Sequence, residues 1–318
     1  MIIVEKDRHI KETEPFFSAI QAYDSWVLEQ DFNNDQTTFI SLGDLFHNAL
    51  PTPKEYDEAE KFFAESKFKK IILLAGNHDF SGTRNSHSIL PLQNNPRIEL
   101  ILEPCQKVID GKTFLFLPYY TKSSVLPPMK EYYSNLPEEY RTNDYILYHF
   151  DDETIQFGKH KTGIDISYLK GTRIGGHIHK SQKNYELGMP VQSRFDEKGE
   201  KNNLLFISDK EVTYITVPKF LDYYEVEYGK DLPKVEALYQ IWDIKNAPSN
   251  KQARKFYKEK YPSIHIREIE VEEKKEDEIT HKGETKKSIL EYFNYYIEKR
   301  TDLPNWTKDR LREIIQKR

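Results

Sequence analysis

The chain has 318 residues, enough for one large domain or for a large and a small domain together. Hydrophobic residues make up 37% and charged residues 31%, so we expect a packed core beside a strongly solvated part. The net charge of −5 does not indicate nucleic-acid binding, although local basic patches decide phosphate contacts. A single cysteine, Cys105, excludes an intramolecular disulfide, and no long apolar run predicts a membrane span. We expect a soluble, cytoplasmic protein with no membrane partner.

The first two-thirds of the sequence alternate between predicted strands and helices. An apolar run at 1–4 precedes a helical pattern at 14–30, a strand at 37–44, a helical pattern at 53–68 and a strand at 70–79. This order predicts an α/β domain with parallel strands, in which ligands bind beyond the carboxyl ends of the strands. Further strands are predicted at 98–102, 113–118, 144–150, 171–177, 203–208 and 211–217, with a hairpin turn between the last two.

The pattern changes after residue 218, where we expect the large domain (1–218) to end. Residues 219–272 predict a small α+β domain, with strands at "DYYEVEYG" and "IHIREIEVEE" and helices at "DLPKVEALYQIW" (231–242) and "SNKQARKFYKEKY" (249–261). Residues 273–287 are almost all charged, which is typical of a linker.

Residues 288–318 show two amphipathic helical patterns joined by a turn that contains proline, and they predict a helical hairpin. The apolar positions of this hairpin are Ile289, Leu290, Phe293, Ile297, Leu311, Ile314 and Ile315. These apolar faces either fold back on the chain or bind a partner helix.

Polar clusters stand at or near the ends of the predicted strands. They are Asp7-Arg8-His9, Gly43-Asp44, Gly76-Asn77-His78-Asp79, His149 and Gly176-His177-Ile178-His179. On a strand, residues two apart share a face, so the spacing of Asp7 and His9 suits one metal ion. Carboxylate, imidazole and amide ligands suit Mn²⁺, Fe²⁺ or Zn²⁺, and the lack of thiolate disfavours a structural zinc site. Each cluster alone also fits a turn or a buried histidine, but the ordered set predicts a dinuclear centre that activates water and clamps a phosphate.

This ordered set resembles the signature of the calcineurin-like metallophosphoesterase superfamily: D-x-H, G-D, G-N-H-D/E, H and G-H-x-H. The resemblance covers about residues 1–217 and implies a four-layered β-sandwich flanked by helices. By position, it implies one ion bound by Asp7, His9, Asp44 and His179, and a second bound by Asp44, Asn77, His149 and His177, with Asp44 bridging. It also implies that His78 approaches the phosphate and protonates the leaving alkoxide, and that Asp79 orients His78.

A closer resemblance is to SbcD, an Mre-type DNA nuclease subunit, and to phage recombination nuclease subunits. It rests on "GDLFH" (43–47) and on "ELGMPVQSRFDEKGEKN" (186–202), which follows the G-H-x-H motif. It implies that His47 lies close to the site and to DNA, that 219–272 form a DNA-contacting capping domain, and that 288–318 bind an SMC-like, Rad-type ATPase. Lys6 stands where the family has serine, and "IKET" displaces the glycine that usually follows D-x-H.

We therefore hypothesise a nuclease subunit with two Mn²⁺ ions that acts on double-stranded DNA ends with an ATPase in recombination, repair or replication. We expect exonuclease and also endonuclease activity, in a bacterial or phage-infected cytoplasm. Relatives pair through the large domain, and the sequence leaves open whether this chain forms a homodimer. Arg84, His87, Lys159, His160 and Lys161 lie in segments that either contact DNA or form plain surface loops. Two alternatives stay open: a protein phosphatase or nucleotide phosphodiesterase of the same superfamily, and a non-catalytic scaffold with the same fold.

Overall fold

A computed structural model describes residues 1–81, 86–120, 128–152, 163–179 and 187–271. These residues belong to one unit, Met1–Glu272. Several predicted features lie outside the described residues: the linker at 273–287, the helical hairpin at 288–318 with its seven apolar positions, and the DNA contacts Arg84, Lys159, His160 and Lys161.

Most of the predicted strands and helices are present, and the structure adds several short elements. In chain order the strands are β1 (Ile2–Glu5), β2 (Thr38–Ser41), β3 (Lys70–Leu74), β4 (Phe80–Ser81), β5 (Ser86–His87), β6 (Ile98–Ile101), β7 (Cys105–Ile109), β8 (Lys112–Leu117), β9 (Thr142–Tyr148), β10 (Lys170–Gly175), β11 (Asn203–Ile207), β12 (Val212–Thr216), β13 (Leu221–Glu227), β14 (Tyr239–Ala247) and β15 (His265–Val271). The helices are α1 (Phe16–Glu29), α2 (Pro53–Glu65), α3 (Met129–Tyr133) and α4 (Asn250–Lys260), with short 3-10 turns at Leu90–Asn94, Glu138–Tyr140 and Phe195–Glu197. Each helix in the described part of the chain is too short or too polar to cross a membrane.

Two large sheets pack face to face. One has the strand order β12-β11-β1-β2-β3-β6 and the other the order β10-β9-β8-β7. Ile40 and Ile72 of the first sheet share one buried cluster with Phe116 and Leu147 of the second. Within the sheets, β1, β2, β3 and β6 run parallel, and so do β8, β9 and β10. Their carboxyl ends therefore provide the ligand-binding edge that the sequence predicts.

Helices cover the outer faces of both sheets. Because side chains alternate along a strand, Ile3 and Phe39 point away from the inter-sheet core and pack with helical residues such as Phe62. On the other sheet, Leu115 packs with Tyr133 of α3 in a third cluster. The order helix, sheet, sheet, helix confirms the predicted four-layered α/β fold.

A capping box explains where α2 begins. The Thr52 side chain accepts a hydrogen bond from the Glu55 backbone N–H at 3.2 Å, and the Glu55 carboxylate accepts one from the Thr52 backbone N–H at 2.7 Å. Pro53 occupies the first helical turn, where its missing N–H costs no hydrogen bond. The loop that leads from β2 to this helix therefore has a fixed end.

The strands β13, β14 and β15 form a third, parallel sheet, and α4 packs on it. The predicted helix at 231–242 is wrong, because Tyr239–Ala247 is the central strand of this sheet and pairs on both sides. Trp242 and Ile244 are buried there between neighbouring strands and α4, so tertiary packing overrides the local helical pattern. The predicted helix at 249–261 is confirmed by α4. The domain boundary at 218 stays a prediction.

Candidate metal centre

The seven predicted metal ligands meet at the carboxyl edge of the two large sheets. Asp7 and His9 follow β1, Asp44 follows β2, Asn77 follows β3, His149 follows β9, and His177 and His179 follow β10. Since β1, β2 and β3 are parallel, as are β9 and β10, these strand ends lie at one edge. Residues up to 172 positions apart in the sequence are thereby brought together.

The first cluster consists of Asp7, His9 and His179, whose potential ligand atoms lie within 4.8 Å of one another. The Nε2 atoms of His9 and His179 are 2.9 Å apart. This separation suits two ligands of one ion at metal–nitrogen distances of about 2.0–2.1 Å. The Oδ2 atom of Asp7 is buried without a hydrogen-bond partner among the described residues. A bound cation would satisfy this carboxylate oxygen, so the cluster fits a metal ion.

The second cluster consists of Asp44, His149 and His177, again with ligand atoms within 4.8 Å of one another. The Asn77 Oδ1 atom joins it, at 3.1 Å from His149 Nε2 and 2.8 Å from His177 Nδ1. Asp44 Oδ2 lies 3.2 Å from His149 Nε2 and 3.6 Å from Nε2 of His9 in the first cluster. The Asp44 carboxylate therefore lies between the clusters, close to a histidine of each. The assignment of the seven residues to two ions stays a prediction, and His9 also lies within ligand distance of His47 and His78.

Four of these residues have a left-handed backbone conformation. The φ angles are 51° at Asp7, 50° at His9, 52° at Asp44 and 70° at His177. Residues other than glycine rarely adopt this conformation, which costs about 1–2 kcal/mol per residue. The prediction that Asp7 and His9 share one face of a strand is wrong, because β1 ends at Glu5 and both residues lie in the turn that follows. Backbone strain from left-handed residues, such as these four ligands, concentrates at functional sites.

Two glycines let the loops of the centre approach each other. A Cβ atom on Gly76 would lie 2.2 Å from Asp44 Oδ1 and 2.3 Å from the Asp44 backbone nitrogen. A Cβ atom on Gly43, where φ is 95°, would lie 2.4 Å from His149 Nδ1. Both positions require glycine for the clusters to form as they do.

Burial and nearby charges set the protonation of the centre. Burial raises the pKa of Asp44, but the charge and hydrogen bond of His149 outweigh burial and hold that pKa below its ordinary value. Burial lowers the pKa of His149, but the Asp44 carboxylate outweighs burial and raises that pKa to about 9. Burial lowers the pKa of His9 well below its ordinary value, so this imidazole is neutral, the form that binds metals.

His78 lies beside the first cluster. Its backbone N–H donates to Asp44 Oδ1 at 2.8 Å, and its ring centroid is 4.9 Å from that of His9. Its Nδ1 atom lies 2.6 Å from the backbone carbonyl oxygen of His47. When protonated and donating Nδ1–H to this carbonyl, the ring presents Nε2–H to a substrate, as a general acid must.

Asp79 contacts the backbone of the centre, and its predicted role of orienting His78 stays a prediction. Its carboxylate is fully buried and accepts hydrogen bonds from the backbone N–H groups of Asp44 at 2.9 Å and Gly76 at 2.8 Å. Burial raises the pKa of Asp79 to about 7, and the Asp44 charge adds to that effect. Asp79 therefore ties together the loops after β2 and β3, while the His47 carbonyl contacts the ring of His78.

Three supporting residues were not predicted from the sequence. Glu197 Oε1 forms a hydrogen bond with His179 Nδ1, and Asp151 Oδ1 lies 3.5 Å from His177 Nε2. Lys6 Nζ donates a hydrogen bond to the backbone carbonyl oxygen of Ile178, the residue between these two histidines, at 2.7 Å. The signal for Glu197 was the segment at 186–202 after the G-H-x-H motif, which contains it. Groups of this kind orient metal ligands.

Arg8 anchors the turn that carries the first two ligands. It is fully buried, and its guanidinium pairs with Glu5 at 3.0 Å and with Asp24 at 2.7 Å. It also lies 4.0 Å from the ring centroid of Phe62. Burial lowers its pKa, but the Asp24 and Glu5 carboxylates outweigh burial and raise it, so Arg8 stays charged. The Arg8 side chain points into the protein, and the side chains of Asp7 and His9 on either side of it belong to the metal centre.

A cavity of about 280 Å³ opens beside the centre. Asp44, His78, His177 and His179 line it, so a phosphoester in this cavity would contact both clusters. Two bound divalent ions would activate a water molecule and clamp the phosphate oxygens. His87, predicted as a DNA contact, lies in β5 with its ring centroid 5.1 Å from that of Phe80.

Comparison with known proteins agrees with this geometry. The family model for calcineurin-like phosphoesterases matches residues 15–181, more than half of the chain. No curated protein gives a significant match. Proteins of this family are metal-dependent phosphoester hydrolases that bind two divalent ions, and the His and Asp clusters fit two such ions. From this match and this centre we conclude that the chain belongs to the calcineurin-like phosphoesterase family.

Proposed function

We propose that the chain is a Mn²⁺-dependent DNA nuclease subunit of the SbcD/Mre type, similar in size and tail to the phage recombination subunits. The observation that carries the proposal is the position of His47, the last residue of "GDLFH". Its ring centroid lies 5.5 Å from those of both His9 and His78. Burial lowers the pKa of His47 to about 4, so at neutral pH it offers a neutral hydrogen-bond donor beside the catalytic histidine. A donor there suits a substrate with further phosphates next to the scissile one.

In the proposed reaction, water attacks phosphorus opposite the leaving oxygen, a P–OH bond forms, and the bond from phosphorus to the leaving oxygen breaks. The proton that the water loses passes to solvent. His78 gives its Nε2 proton to the leaving oxygen. The Asp44 carboxylate fixes the two clusters relative to each other, since it lies within 3.6 Å of a histidine from each cluster. Mn²⁺ is the proposed ion, and imidazole, carboxylate and amide ligands without thiolate are compatible with it, as they are with Fe²⁺ and Zn²⁺.

The small parallel sheet is proposed to contact DNA through α4. The exposed residues of this helix include Lys251, Arg254 and Lys255. Removing one phosphate contact reduces the magnitude of the negative slope of log affinity against log salt concentration by about 0.9. We expect the variant in which all three are replaced by glutamine to bind duplex DNA more weakly, with a slope reduced by about 2 to 3. An unchanged salt slope would remove α4 from the DNA interface.

An assay of substrate preference tests the nuclease proposal. The wild-type chain, His78→Ala and the control His265→Ala are compared with Mn²⁺ on duplex DNA with free ends and on a chromogenic phosphomonoester. We expect wild type and His265→Ala to degrade DNA faster than they hydrolyse the monoester, and His78→Ala to lose both activities. Faster monoester turnover by the wild-type chain would favour a phosphatase, and equal DNA degradation by His78→Ala would refute the proposed chemistry.

The proposed partner is an SMC-like ATPase bound through 288–318. Deleting these residues is expected to abolish association with the ATPase encoded in the same genome. Mn²⁺-dependent cleavage of short substrates should remain, because the centre lies within residues 1–197. Association of the truncated chain in a pull-down would refute this part of the proposal.

A further inference from the structure

We propose that Glu197 is a positioning residue that fixes the tautomer of His179 and so keeps its Nε2 atom free to bind a metal ion. The proposal concerns the metal centre alone, and it holds whether the substrate is DNA or another phosphoester. Glu197 lies beyond the matched family range of 15–181. Its side chain is only 3% exposed, so its carboxylate must find its partners inside the protein.

The local backbone leaves one Glu197 oxygen for His179. Oε2 accepts hydrogen bonds from the backbone N–H groups of Ser193 at 2.6 Å and Arg194 at 2.9 Å. Oε1 contacts His179 Nδ1 and accepts a longer hydrogen bond from the Ser193 hydroxyl at 3.4 Å. The short turn Phe195–Glu197 brings the carboxylate back to these two amides. The chain therefore holds the carboxylate from one side and presents its other oxygen to the imidazole.

The contact determines which nitrogen of His179 carries the proton. A carboxylate only accepts hydrogen bonds, so Nδ1 of His179 must donate. Nε2 then keeps its lone pair, and it lies in the first cluster at 2.9 Å from His9 Nε2. A carboxylate on the far nitrogen fixes the ring and strengthens it as a ligand. The corresponding contact of His177 is weaker, since Asp151 lies 3.5 Å away and is 46% exposed.

Glutamine at 197 is expected to select the wrong tautomer. Two backbone N–H groups face Oε2, so the amide of Glu197→Gln must place its oxygen there. Its NH₂ group then faces His179 Nδ1, which must accept. The proton moves to Nε2, the atom that would bind the metal. Glu197→Ala instead removes the contact and leaves the tautomer unselected.

The test is a titration of the metal-free full chain with Mn²⁺, followed by electron paramagnetic resonance. We expect both Glu197 variants to bind one of two ions 10–100-fold more weakly. Glu197→Gln should lose at least as much Mn²⁺ affinity as Glu197→Ala. The glutamine variant nevertheless keeps the backbone hydrogen bonds, so its unfolding temperature should lie closer to that of the wild type than the unfolding temperature of Glu197→Ala does. The control Asp196→Asn removes a charge from the same cavity at an exposed position and should bind both ions as wild type does.

The second measurement is the ¹⁵N spectrum of the histidines in the metal-free chain. His179 should be protonated on Nδ1 in the wild type and on Nε2 in Glu197→Gln. An unchanged tautomer in Glu197→Gln, or wild-type affinity for both ions, would overturn the proposal. Metal affinity that follows unfolding temperature, with Glu197→Ala below Glu197→Gln, would also overturn it, because that order indicates a purely structural role.

Discussion

Replacing Gly76 by alanine should disable catalysis while leaving the fold intact. The new Cβ atom would lie 2.3 Å from the Asp44 backbone nitrogen, and ordinary contact begins at 3.4 Å. The loops after β2 and β3 must therefore separate by about 1 Å. This movement breaks the hydrogen bonds by which the Asp79 carboxylate holds the backbone of both loops together. A misplacement of about 1 Å in an active site lowers the rate about 100-fold. We expect a loss of this size in hydrolysis of a chromogenic phosphodiester with saturating Mn²⁺.

Gly111→Ala is the matched control. Gly111 has a φ of 75° at the turn between β7 and β8, and a Cβ atom there would meet no atom within 4 Å. Alanine in this conformation costs about 1 kcal/mol of folding stability but does not disturb the centre. The thermal unfolding temperature of Gly111→Ala should therefore fall below that of the wild type, while its turnover stays at the wild-type level. Turnover by Gly76→Ala within about threefold of wild type would refute the close packing inferred for these loops.

Three further predictions concern the anchor, the acid and the protonation of the centre. Arg8→Leu leaves two buried carboxylates, Glu5 and Asp24, without their cation, and it should lower the free energy of unfolding in urea by about 3–5 kcal/mol. Removing the exposed ion pair of Arg141 in Arg141→Leu should cost about 1 kcal/mol or less, and equal costs would contradict the anchor role. His78→Ala should bind both ions in equilibrium dialysis yet fall about 10²–10⁴-fold in rate, and a fall below tenfold would exclude His78 as the acid. His149 has a pKa of about 9 without metal, so Mn²⁺ must displace its proton at neutral pH, and affinity should rise with pH up to about 9; calorimetry in two buffers that shows no proton release would contradict this.

The sequence predicted the location of the centre because two simple patterns combine there. Apolar runs identify strands, and the carboxyl ends of parallel strands share an edge, so polar residues after successive strands must converge. The conformation of the first ligand pair was not predictable from that pattern. Asp7 and His9 are left-handed in a turn, and Arg8 between them pairs with Asp24 on α1. A contact between distant elements of this kind leaves no periodic signal.

Other differences also come from contacts between distant parts of the chain. The predicted helical pattern at 231–242 overlaps β14 (Tyr239–Ala247), and the strands that pair with β14 on both sides decide its conformation. β7 was not predicted because it is an edge strand with an exposed Val108 among polar residues. Glu197 reaches His179 across 18 residues of chain, through a turn whose shape depends on backbone hydrogen bonds. The residue types at the centre were therefore predictable, and their supporting contacts were not.

The most direct test of a dinuclear phosphoesterase centre is to count metal ions and turnover in the same samples. The metal-free wild-type chain and Asp44→Asn are reconstituted with Mn²⁺, freed of excess metal, and analysed for bound manganese and phosphodiester hydrolysis. Because the Asp44 carboxylate lies between both clusters, we predict two ions per wild-type chain, with hydrolysis that a chelator abolishes. In Asp44→Asn we predict fewer ions and no hydrolysis. Two bound ions and wild-type turnover in Asp44→Asn, or wild-type hydrolysis that survives removal of all metal, would contradict the account.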